Sequence, residues 1–150
     1  MQGGIVSYQQ QRSVATIVTG AIVVAVYFAM ALSRLEGVGS DAEALVRFWA
    51  TSVLILVPVG IVAAIVTAIL AAIVYRIVAG EDPPMIEDER DRMIELKANQ
   101  VSQAIFVLAF VGSMVPAVLG ASVTAMFVVL IGGGFVAHVV GEVGRILMYQ

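Results

Sequence analysis

Three residues near the end of the chain, His138, Glu142 and Arg145, lie at offsets of four and three and so share one face of a helix. With Arg145 at a membrane interface, helical rise sets Glu142 about 4–5 Å deeper and His138 about 10 Å deeper. A carboxyl and an imidazole so spaced can pass protons or hold a cation. The same residues also have a purely structural use, in which Glu142 pairs with Arg145 toward water and His138 donates to a carbonyl. Metal or haem ligation is disfavoured, because one histidine and no cysteine leave too few nitrogen or sulfur ligands.

A second polar group is Asn99, Gln100, Ser102 and Gln103, where the chain passes from charged to apolar sequence. An amide in hydrocarbon must be paired or wet. Glu95, Asn99 and Gln103 form one ridge, expected either to bond a neighbouring helix or to line a path for a substrate or ion. A third group is acidic. Glu87, Asp91 and Glu95 fall on one stripe, where like charges at four-residue spacing repel, so the stripe invites a cation, a basic partner surface or solvent. Asp88, Glu89 and Arg90 lie beside it. The helix carrying them is expected to open near Pro84, with Asp82 accepting an early N–H. Asp88 and Arg92 are in the favourable order for an i,i+4 pair worth about 0.2–0.5 kcal/mol.

The elements that position these groups are membrane spans. The chain is 61% hydrophobic and only 13% charged, against soluble norms of about 45–50% and about 25%, and 150 residues cannot bury so much apolar surface in water. Four stretches are apolar enough to cross, at about 14–32, 48–75, 98–119 and 122–148, with a cytoplasmic connector over 79–97. The first is not read as a signal peptide despite Ala29-Met30-Ala31, since its apolar run exceeds an h-region of roughly 7–15 residues. The second is long for a bilayer, and Pro58 is the expected kink, with Trp49 and Tyr75 at the two interfaces. The third and fourth, joined through Gly120 and Ala121, form a tight hairpin whose corner Pro116 begins. The expected architecture is therefore an all-α integral membrane four-helix bundle, with an amphipathic connector helix between spans two and three.

Cations set the orientation. With both termini in the cytoplasm, Arg12, Arg76, Arg90, Arg92, Lys97 and Arg145 lie inside, and Arg34 and Arg47 flank an outer turn rich in glycine. The location expected is the cell (inner) membrane. The segment from Glu81 to Lys97 has seven acids and three bases, and no basic stripe elsewhere could neutralise phosphates, so nucleic acid is not an expected partner. Gly134, Ala137, Gly141 and Gly144 form a small-residue strip suited to close helix packing, within the bundle or across a homodimer. The glycines at 132–134 are not a phosphate loop, since no strand precedes them. No cofactor or catalytic motif is present.

The residues Met85-Ile86-Glu87-Asp88-Glu89-Arg90-Asp91, then Ile94-Glu95-Leu96-Lys97-Ala98 and Ser102, resemble the Asp-Glu-Arg signature of a family of small prokaryotic membrane proteins catalogued as a domain of unknown function. The resemblance implies a four-span bundle in a prokaryotic membrane and brings no activity. The expected function is a non-enzymatic accessory or regulatory protein that contacts a partner through its acidic helix. The alternative is a proton- or cation-coupled transporter or channel protomer that uses His138 and Glu142. A small multidrug exporter is disfavoured, because the first span has no acid.

Overall fold

The computed structural model describes residues 8–80 and 88–149, and every regular element among them is helical. These are α1 (Tyr8–Leu35), α2 (Ala42–Ala79), α3 (Glu89–Gly112), α4 (Val115–Val118) and α5 (Val123–Met148). Four of them, counting α3 with α4 as one crossing, are long and apolar enough to span a membrane. Most of their large apolar side chains point outward, Leu54, Leu108 and Ile65 among them. That surface requires hydrocarbon around it.

Local chemistry explains the helix ends. The turn after α1 uses Gly39 at φ 79°, and Asp41 then caps α2 by accepting from the Ala44 N–H at 2.9 Å. Helix α2 runs unbroken through Pro58 for 38 residues, about 57 Å of rise, so it protrudes beyond the apolar run at both ends. It stops at Gly80, which is left-handed and donates its N–H to the Arg76 carbonyl. The third span ends as regular helix at Gly112, earlier than the sequence suggests. Pro116 has no N–H for the Gly112 carbonyl and its ring crowds that oxygen, so the chain turns at Ser113 and Met114 and resumes as the single turn α4. Gly120 at φ 72° completes the corner, and Ser122 caps α5.

Helix α5 is the hub. It packs along α3 most extensively, then against α1 and more narrowly α2, while α1 and α2 pair with each other. Tyr8 meets Tyr75 edge to face at 5.2 Å, and the Gln10 amide donates to the Ile146 carbonyl at 3.4 Å. The start of α1, the end of α2 and the end of α5 therefore lie at one end of the bundle. At the other end Trp49 is 0% exposed, stacked on Phe127 with its indole N–H donating to Thr124 Oγ1 at 3.1 Å. Trp49 thus faces the interior rather than an interfacial belt, because its N–H finds a partner there.

Between α1 and α2 the Thr67 hydroxyl donates to the Ala63 carbonyl of its own helix at 2.8 Å and accepts from the Thr19 hydroxyl at 2.9 Å. Interhelical bonds of this kind are worth about 0.6 kcal/mol in a membrane. Thr67→Val is expected to lower unfolding stability in detergent by that small amount, and Thr19→Val by no more. A loss several times larger would mean that the pair holds more than its own bond.

Candidate functional site

Glu142 is 6% exposed and is the only carboxylate within the apolar part of the described spans. Arg145, one turn along α5, donates through Nη1 to Glu142 Oε1 and through Nη2 to Asn99 Oδ1 on α3, the latter at 2.6 Å. One guanidinium therefore neutralises a buried acid and ties two helices together. Of the expected ridge, Asn99 joins this network. Gln103 does not: it lies exposed on α3 and has no hydrogen bond among the described residues. Ser102 replaces it at the interface, donating to the Ala137 carbonyl at 2.9 Å.

Close approach makes these bonds reachable. A methyl on Gly141 would stand 3.0 Å from the Ser102 Cβ, and one on Gly133 would overlap the Ala109 methyl outright. Gly134 is looser against Phe106, and Gly144 faces only Met148 of its own helix. The small strip expected at 134, 137, 141 and 144 is thus correct at Ala137 and Gly141, which are buried. The tightest contact belongs to Gly133, one turn before Ala137 on the same face, a position the expected strip leaves out.

His138 points elsewhere. Its ring packs against α1 at Gly20, where an added methyl would lie 3.4 Å from Cδ2 and Nε2. It forms no hydrogen bond among the described residues, so the expected bond to a carbonyl is absent. Nor does it line the polar cavity that Glu142 and Arg145 reach. That cavity, about 160 Å³, is walled also by Arg12 and Ser13 of α1 and by Asp91 and Glu95 of α3. The proton-handling face read from the sequence is therefore divided: Glu142, Arg145 and Asn99 form one network, and His138 a separate α1 contact.

The acidic region begins α3. Asp88 is extended and its carboxylate accepts from the Glu89 N–H at 2.7 Å, so it serves as the N-cap and forms no ion pair with Arg92. A cap satisfies an otherwise free backbone donor, whereas the exposed pair gains little. The start expected near Pro84, the cap expected at Asp82, and Glu87 all lie outside the described residues. Glu89, Arg90 and Glu95 are exposed, Asp91 is half-buried, and none of the four has an ion-pair partner among the described residues. Helix α3 continues from these residues into the membrane without a break, so they are its first turns rather than a separate element. Glu89 and Asp91 sit where the helix dipole favours negative charge.

Among the described residues no three His, Asp or Glu side chains converge to hold a metal. No family model, curated protein or solved structure matches the chain.

Proposed function

We propose that this is a non-enzymatic accessory or regulatory protein of a prokaryotic cell membrane, a four-span bundle with both termini cytoplasmic, which docks a basic partner on the acidic opening of α3. The observation that carries this reading is the occupation of Glu142. The one acid inside the spans is bonded to Arg145, which is bonded in turn to Asn99, so its charge is engaged in holding α3 to α5. Four described acids are left without partners: Glu36 follows α1, and Glu89, Asp91 and Glu95 open α3 at the opposite end, where charge meets water. Positive residues cluster at that same end, which supports its being cytoplasmic. The Asp88-Glu89-Arg90 resemblance agrees with a prokaryotic bundle and adds no role.

Cross-linking in native membranes followed by pull-down is expected to capture a partner, and Asp91→Asn with Glu95→Gln to reduce its yield at least fivefold. Undiminished capture by that variant defeats the proposal. A transport reading is favoured by one feature, the polar cavity reaching Glu142. Proteoliposome proton or cation flux tests it: wild type and Glu142→Gln giving equal flux counts against transport, and a flux abolished in the variant supports it over the accessory reading.

A further inference from the structure

Toward the end that carries the α1–α2 turn, the two helices part to leave a crevice of about 340 Å³. Its walls include Ile22, Val26 and Met30 of α1 and Ile55 and Val59 of α2, and Arg34 stands at its mouth. We propose that this crevice holds one phospholipid, its phosphate on Arg34 and one acyl chain lying between α1 and α2.

Length is the first argument. From Arg34 to Ile22 is twelve residues, about 18 Å of helical rise, slightly more than half of a hydrocarbon core of about 30 Å. The crevice thus runs from headgroup level to mid-bilayer, the depth of one leaflet. It closes just below, where Thr67 bonds Thr19 across the same two helices. The wall is apolar but for the hydroxyls of Tyr27 and Ser52. An acyl chain matches such a wall, and a helix of a second copy, about 10 Å across, is too thick for this volume.

Charge is the second argument. Arg34 lies in the last turn of α1, just beyond the apolar run, and has no ion-pair partner among the described residues. The neighbouring acid, Glu36, lies past the helix end and does not pair with it. A guanidinium presents a fork of donors suited to phosphate oxygens, and at this height a lipid phosphate is the abundant acceptor. Arg47, at the same end, differs on both counts: it sits 3.8 Å from Glu43 and does not line the crevice.

The full chain, extracted from membranes in mild detergent, is to be weighed by native mass spectrometry. Wild type is expected to retain one phospholipid per chain. Arg34→Gln should cut the retained fraction at least fivefold, Arg34→Lys should keep most of it, and Arg47→Gln should leave it unchanged. Val26→Trp, which fills the crevice and leaves the cation, should also lose the lipid; if it does not fold, the arginine variants decide alone. A wild type without phospholipid overturns the proposal. So does equal retention in Arg34→Gln, or equal loss in Arg47→Gln, which would mark the lipid as ordinary annular lipid.

Discussion

Gly133→Val is expected to force α3 away from α5 and to lower stability by about 2–3 kcal/mol, the upper range for overpacking a tight contact. Even a single methyl at this position overlaps the Ala109 side chain, and the obstacle is a short side chain on a rigid helix, with no flexible end to move aside. The shift would not stay local. Ser102 reaches the Ala137 carbonyl and Asn99 reaches Arg145 only because the two backbones lie close, so both bonds lengthen when the helices separate. Gly132→Ala is the control, since nothing lies within 4 Å of the added methyl and stability should be unchanged or slightly raised. Thermal unfolding in detergent, followed by the fluorescence of the single tryptophan, separates the two. A Gly133→Val protein that melts with wild type would show that α3 is held to α5 by something other than this contact.

The crossings were readable in the sequence because hydrocarbon tolerates only long apolar helices, and that requirement acts on every residue of a span. Their ends were less readable. Helices α1, α2 and α3 all begin well before the apolar runs, since α-helix is equally satisfied in water at the interface, and composition marks only where hydrocarbon starts. Which side chains meet depends on rotation about each helix axis. The pairing of Glu142 with Arg145 lies within one helix and follows from a spacing of three. The Asn99 bond requires the register of α3 against α5, which no spacing within either helix contains. The same holds for His138, turned to α1 by the room at Gly20, and for Gly133, whose special place comes from Ala109 opposite. Trp49 shows the limit of an interfacial rule: its level along the helix suits the interface, and its direction was decided by Thr124 and Phe127.

Arg145→Ala is the single substitution expected to damage the bundle most. It leaves the Glu142 carboxylate buried without a counter-charge and removes the partner of Asn99 in the same step. Breaking one side of a buried pair costs about 3–5 kcal/mol, and the lower end applies here because the guanidinium is 24% exposed and so partly screened. Glu142→Gln should be milder, near 1 kcal/mol by the usual net worth of a hydrogen bond, since an amide oxygen still accepts from Nη1. The double variant Arg145→Ala with Glu142→Gln should recover part of the loss, because the uncompensated charge is then gone. A coupling of about 1–3 kcal/mol is therefore expected from the cycle of unfolding measurements. Strict additivity would mean that Glu142 carries no charge for Arg145 to balance in the folded protein. Glu142 would then be a neutral acid beside a polar cavity, with a proton to exchange, and the balance would move from a structural tie toward transport.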